Sequence, residues 1–388
     1  MAKRTILIFN RGYLPGKKLG GPVTSIQNFC DAFNSEYNIK IVTWDHDFGT
    51  QERFPNIRDG WNHIGNADVL YLRDKECTYK RFKEVITIEA PVFCYLSGTI
   101  TSYFGFNDGV LKACREAKIP VVLAPRGDIC NNALSIKKMK KQLALYYCRF
   151  FRVFKNVYFQ STLHEETENI KKLFRIDSSH IFEIPNISAL IEPNLIVKKK
   201  SGVIRLVFVS RITDKKNLAD AIRSVNNAKS QVIFDIYGPI ENKEYWEKCE
   251  RIMKAAPPNV QINYKGPLDG EKAKCVFKTY DAFVFETLSE NYGHVIIESM
   301  LCGCPVILSR GTTPWDDLDG RAGYLGDLGN IESFTKAIDT IAEMKQEEYC
   351  ALRKSTREYA IRKTDMQHLL IEYRRMFKAI QKENISTN

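Results

Sequence analysis

With 388 residues, the chain exceeds the size at which one hydrophobic core stops growing, so two domains are expected. It holds no run of about 18 apolar residues, and its apolar opening is too short for a signal peptide, which argues against a membrane span and points to the cytoplasm. Its 11 cysteines are scattered without a paired framework, and the one close pair, Cys302 and Cys304, lacks zinc-knuckle spacing, so neither a disulfide scaffold nor a bound metal is expected.

The net charge of +11 is unevenly placed. Residues 1–200 carry 30 Lys and Arg against 20 Asp and Glu, whereas residues 201–388 carry 27 against 26. A basic first half points to an anionic partner there, a membrane surface or a nucleic acid.

Residues 5–9 read as a first strand. The loop after it closes on Gly20, Gly21 and Pro22, and a helical pattern follows at Ile26, Phe29, Cys30 and Phe33, with Thr24 and Ser25 placed before the helix. Strand, glycine loop and helix is a ligand-holding arrangement, although the dinucleotide spacing GxGxxG is missing and two adjacent glycines serve equally well in a plain turn. Apolar runs at 39–43, 69–72, 92–96, 121–124 and 157–160 alternate with helical patterns, the signature of a doubly wound parallel sheet. Arg126, in the Pro125-Arg126-Gly127-Asp128 segment directly after one of these strands, either faces a phosphate or carboxylate or sits in a surface turn.

The stretch that opens with Ser135 and closes with Lys155 sets Lys137, Lys138, Lys140 and Lys141 early and Arg149 and Arg152 late. Leu143, Tyr146, Tyr147, Phe150, Phe151 and Phe154 are interleaved. Such a basic amphipathic helix suits an anionic membrane interface, and equally a core helix with a solvated basic face.

The predicted division is a first domain over 1–190, a linker over 191–202, a second domain over 203–365, and a C-terminal helix with a polar tail over 366–388 that packs back on the first domain. In the second domain the wound pattern repeats, with apolar runs at 206–210, 232–237, 260–264, 282–285 and 306–308. Its first strand leads into Ser210-Arg211-Ile212-Thr213-Asp214-Lys215-Lys216, a short loop whose arginine fork and ammonium groups can hold a diphosphate and stabilise its charge as it leaves, with no metal needed. After the strand at 282–285, Glu290 and Glu298 stand eight positions apart around a loop, Asn291-Tyr292-Gly293-His294, that opens an apolar helix. A helix start with a glycine beside it presents unpaired N–H groups to a phosphate or an array of sugar hydroxyls. Taken alone, a Glu-x7-Glu pair also arises by chance.

Together, SRITDKKNL, SENYGHVIIESMLCGCPVI, the following TPW, the early LGGP and the APRGD resemble the retaining glycosyltransferases of family four, of the bacterial surface-glycan type. The resemblance covers nearly the whole chain. It implies an α/β GT-B fold, with two doubly wound Rossmann-like domains whose parallel sheets face each other across a cleft. It also implies transfer of a sugar from a nucleotide-sugar donor to a lipid-linked or polysaccharide glycan acceptor at the inner membrane surface, with no cofactor. By resemblance, Arg211 and Lys216 bind the donor diphosphate, with Lys215 the alternative lysine; Glu290 lies by the transferred sugar and Glu298 holds the ribose hydroxyls. Backbone N–H groups from Asn291, Tyr292, Gly293, His294 and Val295 would face sugar and phosphates. Gly238 and Pro239, with Gly266, Pro267 and Leu268, match the base pocket, and Gly20 and Gly21 match the loop that closes over the phosphates. The chain departs from many relatives in having no histidine in Leu96-Ser97-Gly98-Thr99, after the fourth strand of the first domain.

Two rival readings follow. An epimerase or a glycan phosphorylase on the same fold would give product from donor alone or depend on phosphate. A nucleic-acid-binding protein would need a helix-turn-helix, a zinc pattern or an RNP stretch, and none is present, so no nucleic-acid partner is expected.

Overall fold

The computed structural model describes residues 3–16, 20–98, 106–130, 138–189, 191, 193–194, 197–268, 275–290 and 292–386. The chain divides into two compact units, Met1–Ile187 with Met366–Asn388, and Ser188–Asp365.

The sheet of the first unit contains β1 (Arg4–Phe9), β2 (Tyr37–Trp44), β3 (Trp61–Ile64), β4 (Ala67–Leu72), β5 (Phe93–Ser97), β6 (Val121–Ala124), β7 (Val157–Ser161) and β8 (Ile181–Glu183). Their order is β3-β4-β2-β1-β5-β6-β7-β8. All pairs are parallel except β3 with β4, an antiparallel edge that the sequence reading missed because Trp61-Asn62-His63-Ile64 is short and half polar. The central strands are buried on both faces, as parallel strands sandwiched by helices must be. In β1, Leu7 and Phe9 enter one core and Ile6 and Ile8 the other.

Helices α1 (Gly21–Phe33), α2 (Tyr79–Glu89), α3 (Asp108–Ala117), α4 (Lys138–Phe150) and α5 (His164–Phe174) follow in order. α1 starts at Gly21, ahead of Thr24 and Ser25, because Pro22 in its first turn needs no N–H partner and presets the helical φ. Phe82, Val85, Val110 and Leu111 from α2 and α3 join Leu7 and Phe9, whereas Ile26, Phe29 and Phe33 of α1 join Ile6 and Ile8.

In the second unit, β9 (Val203–Val209), β10 (Gln231–Tyr237), β11 (Val260–Gly266), β12 (Ala282–Phe285), β13 (Val306–Ser309) and β14 (Gly323–Gly326) form an all-parallel sheet in the order β11-β10-β9-β12-β13-β14. Among the described residues, helices α6 (Leu218–Asn226), α7 (Lys243–Lys254), α8 (His294–Leu301), α9 (Ile331–Glu343) and α10 (Gln346–Thr364) accompany it.

The segment read as a linker, 191–202, clusters with this second unit. The guanidinium of fully buried Arg353 donates to the Asn194 carbonyl, and Lys199 Nζ donates to the Ala342 carbonyl at 3.0 Å. α10 ends where Asp365 takes a φ of 27°, and α11 (Met366–Ser386) lies in the first unit, with Phe377 centred 5.1 Å from both Phe33 and Phe93. Among the described residues no helix is long and apolar enough to cross a membrane.

Candidate active site at the carboxyl edge of the second sheet

In a parallel sheet the strand ends and the loops leaving them converge on the carboxyl edge, where ligands bind. In the second unit that edge is built by the loops after β9, β10, β11, β12 and β13.

The loop after β9 lies along the turn after β10: Ser210 N donates to the Tyr237 carbonyl at 3.1 Å and Ile212 N to the Pro239 carbonyl at 2.9 Å. This approach dictates glycine at 238. Gly238 has a φ of 146°, and a Cβ there would stand 1.7 Å from the Ser210 carbonyl oxygen. Gly238 N bonds the Gly266 carbonyl at 3.0 Å, and the Tyr264 hydroxyl donates to the Gly238 carbonyl at 2.8 Å, so the Gly-Pro turns after β10 and β11 are joined. Pro267 is exposed and Leu268 half-buried beside them.

A short 3-10 turn over Asp214–Lys216 then carries the chain into α6, with Asn217 left-handed between them. Lys216 is buried, and its ammonium donates to Glu290 Oε2 while lying 5.3 Å from the centre of the Phe285 ring. A cation facing an aromatic ring and a carboxylate is fixed electrostatically from two sides. The Lys215 carbonyl accepts from Leu288 N at 3.0 Å and Thr287 Oγ1 at 3.2 Å, which ties the basic loop to the loop after β12. Glu290 N donates to the Thr312 carbonyl at 2.8 Å, and Ser309 Oγ lies 2.6 Å from both the Thr287 carbonyl and Thr312 Oγ1. The Glu290 backbone is thus held from the loop after β13.

Gly293, left-handed at a φ of 71°, caps the start of α8 without a side-chain cap, and the first turn of α8 has no acidic residue. A Cβ at 293 would press on Ile296 Cδ1 at 2.8 Å and Glu290 Cγ at 3.1 Å, so glycine there also makes room for the glutamate. His294 and Val295 are half-buried at the helix start, and Glu298 is buried one turn on. The Tyr292 ring turns inward: its hydroxyl lies 2.9 Å from Ser188 Oγ, and the Tyr292 carbonyl accepts from Trp315 Nε1 at 3.0 Å. Burial pushes the Tyr292 hydroxyl up to about 12. Asn291 lies outside the described residues.

The structure therefore brings Lys216 and Glu290 together, while Arg211 is engaged elsewhere. Its Nη1 donates to Glu241 Oε2 at 3.1 Å and Oε1 at 3.2 Å. Lys215 is exposed. Glu241, Phe285, Thr312 and Trp315 were not read as site residues. The signal for Glu241 is its position two residues beyond Pro239; for Trp315 it is the TPW segment, and Thr312 directly precedes that segment.

In the first unit, Gly20 (φ of 54°) and Gly21 open α1 beyond the carboxyl end of β1, and a Cβ at Gly20 would meet nothing within 4 Å. Arg126 is less available than expected of a phosphate ligand. It is left-handed at a φ of 59°, and its guanidinium donates to Asn186 Oδ1 and, at 3.0 Å, to the Tyr95 hydroxyl. Gly127 N beside it donates to the fully buried Glu166 at 2.7 Å. Burial pushes the Glu166 carboxyl up, against hydrogen bonds from Thr162 and Gly127. After β5, Asn107 Nδ2 holds the Gly98 carbonyl at 3.1 Å. The buried histidine at this edge is His46, after β2, with Nδ1 2.9 Å from Asp45 Oδ1 and its ring stacked on Trp44.

Residues 195–363 match the family of glycosyl transferases group 1. The chain is 26% identical over 163 residues to the sulfoquinovosyl transferase SQD2 of Arabidopsis thaliana, 40% of this chain and 30% of that protein. It is 40% identical over 62 residues to the lipopolysaccharide core biosynthesis glycosyltransferase LpsE of Rhizobium meliloti (strain 1021), 16% of this chain and 18% of that one. The chain thus matches under a third of the length of either relative. Among solved structures it is similar to Anabaena Alr3699/HepE in complex with UDP and glucose, at a TM-score of 0.72 and 14% identity over 97% of this chain and all of that one. A glycosyltransferase from Rickettsia africae gives 0.71 and 12% identity over 98% of this chain and all of that one. The fold is GT-B, and the second unit carries a glycosyl transferases group 1 domain, the domain of a transferase enzyme.

Proposed function

We propose that the protein is a retaining glycosyltransferase that moves a sugar from a nucleoside-diphosphate sugar to a lipid-linked or polysaccharide acceptor in the assembly of a cell-surface glycan such as capsule or O-antigen. It works in the cytoplasm, on the inner face of the plasma membrane. The observation that carries this reading is the Lys216–Glu290 pair beside the glycine-capped start of α8, inside a group 1 domain. The UDP and UDP-glucose complexes of the structurally similar Anabaena protein agree with a nucleotide-sugar donor.

In this reading Lys216 and Arg211 face the diphosphate. As the glycosidic bond breaks, its electron pair passes to the phosphate oxygen, and fixed cations stabilise that growing charge more than they stabilise bound donor. Glu290 holds Lys216 in place and accepts from a hydroxyl of the transferred sugar, and Glu298 accepts from the ribose hydroxyls. The N–H groups of Gly293, His294 and Val295 point a helix start at the phosphates. The Gly-Pro turns at 238–239 and 266–267, with Leu268, border the base. The acceptor hydroxyl attacks from the departing side, and its proton passes to an oxygen of the leaving phosphate.

The test is calorimetry with a panel of nucleotide sugars and nucleoside diphosphates on wild type and Arg211→Ala, followed by transfer assays with the bound donor. Saturable binding of one donor that the variant loses, with transfer abolished in Glu290→Ala, is expected. Product from donor alone, or dependence on inorganic phosphate, would instead identify an epimerase or a phosphorylase.

A further inference from the structure

The first unit carries a feature that the donor site does not use. α4 is apolar on two sides: Ala144, Leu145 and Cys148 turn toward the core, while Leu143, Tyr146 and Phe150 form a second stripe at helical spacing that faces solvent at 70%, 68% and 66% exposure. Phe151, 61% exposed, extends it, and the rings touch one another, Phe150 to Phe151 at 5.1 Å and Tyr147 to Phe151 at 4.7 Å between centroids. Folding does not require an outward aromatic stripe, and a contiguous one marks a binding surface.

The surroundings identify what binds. Between Asp128 and Glu165 the chain has seven Lys and Arg and no Asp or Glu. Beside Phe151 opens a cavity of about 850 Å³ lined by Arg115, Lys118, Arg152 and Lys155, with Pro120 and Asn156 at the starts of β6 and β7. It therefore lies at the amino edge of the first sheet, away from the edge where parallel sheets take their substrates. A second hollow of about 460 Å³, lined by Arg149, Arg152 and Arg175, separates Tyr146 and Phe150 from Phe174. Arg115 donates to the Val153 carbonyl at 3.2 Å rather than to a carboxylate.

We propose that this face is a docking surface for an anionic phospholipid bilayer, with a lipid phosphate taken into the Arg115–Lys118–Arg152–Lys155 cavity and the Leu143, Tyr146, Phe150 and Phe151 side chains at the headgroup–acyl boundary. Aromatic rings favour that boundary, long basic side chains reach from it to phosphates, and each basic group near an anionic surface adds to the attraction. The inference deepens the membrane part of the proposed function and is independent of the transfer chemistry.

The experiment is sedimentation of the full chain, without donor or acceptor, on vesicles of phosphatidylcholine alone and of equal parts phosphatidylcholine and phosphatidylglycerol. Binding to the anionic vesicles at least about ten-fold tighter than to the neutral ones is expected. Phe150→Ser with Phe151→Ser should weaken it about ten-fold or more, and Lys118→Asn with Lys155→Ser by about ten-fold, both with an unchanged thermal transition. Equal binding to the two vesicles, or none, would overturn the proposal. Loss in the phenylalanine variant but not the lysine variant would remove the cavity as the headgroup site. A dimer in solution that the phenylalanine variant dissolves, without vesicle binding, would assign the face to a second copy of the chain.

Discussion

Arg211 Nη1 lies 3.1 Å from Glu241 Oε2, so the guanidinium assigned to the donor diphosphate already has a carboxylate partner. A diphosphate approaching Arg211 must share that cation with Glu241 or displace it. Both side chains are partly exposed, and such pairs are worth about 0–1 kcal/mol. Glu241→Gln should therefore tighten binding of a nucleoside diphosphate by up to about five-fold, read by calorimetry, whereas Arg211→Ala weakens it. Weaker binding in Glu241→Gln would mean that the carboxylate orients Arg211 rather than competing for it.

The Lys216–Glu290 pair makes a different prediction because it is more enclosed, with side chains 11% and 20% exposed. Removing Glu290 frees Lys216 to turn toward the diphosphate but leaves the sugar without its partner. Glu290→Ala should lower kcat/KM for transfer by about 100-fold or more with nucleotide affinity little changed. Lys216→Ala should lower both. The double variant should fall well short of the product of the two effects, as side chains in contact do. Full activity in Glu290→Ala would remove this carboxylate from the site.

Much of this arrangement was legible in the sequence because it rests on local pattern. Buried parallel strands are short continuous apolar runs, so β1, β2, β4 to β7 and β9 to β13 each coincide with one. β3, β8 and β14, short and with few apolar residues, escaped. The left-handed Gly293 before α8 was visible as a glycine between a polar loop and an apolar run. Which groups pair was not visible, since Lys216 and Glu290 are 74 positions apart and Arg211 and Glu241 are 30 apart. Spacing cannot tell a phosphate-facing arginine from one enclosed like Arg126, whose partners Tyr95 and Asn186 come from distant segments. Nor does amphipathic period reveal that α4 has two apolar sides, because both sides satisfy it.

The cations at this edge carry the charge of the leaving group in the proposed mechanism. Treatment with a chelator such as EDTA should then leave transfer within about two-fold of the untreated rate. Loss of activity that Mg²⁺ restores would transfer that role from Arg211 and Lys216 to a metal.

Gly238 tests whether the edge is set by backbone approach. Its φ of 146° and the 1.7 Å that would separate a Cβ from the Ser210 carbonyl leave no room for alanine, because the obstacle is backbone on a neighbouring strand end. Gly238→Ala should destabilise the protein by about 3–5 kcal/mol and abolish nucleotide binding. Gly20→Ala, at a positive φ of 54° but with open space around it, should cost about 1–3 kcal/mol. Comparable unfolding temperatures for the two variants would contradict this.

Glu286, directly after β12 and four residues before Glu290, is 2% exposed, and its Oε1 finds no hydrogen-bond partner among the described residues. Burial, against the neighbouring Ser224 hydroxyl and with a smaller push from the charge of Asp220, moves its carboxyl up to about 8. An unfolded chain ionises a glutamate near its ordinary value of about 4.3. A carboxyl raised in the fold therefore adds no penalty below about pH 4, costs stability progressively as pH rises, and costs its full amount above about 8. That amount is on the order of a few kcal/mol. Thermal unfolding of wild type should move to lower temperature between about pH 5 and about pH 8. Glu286→Gln, which carries no charge to bury, should flatten that slope and unfold at higher temperature than wild type near the upper end. Parallel profiles for the two proteins would show that Glu286 ionises in the fold as freely as in the unfolded chain, and that another group sets the pH dependence of this domain.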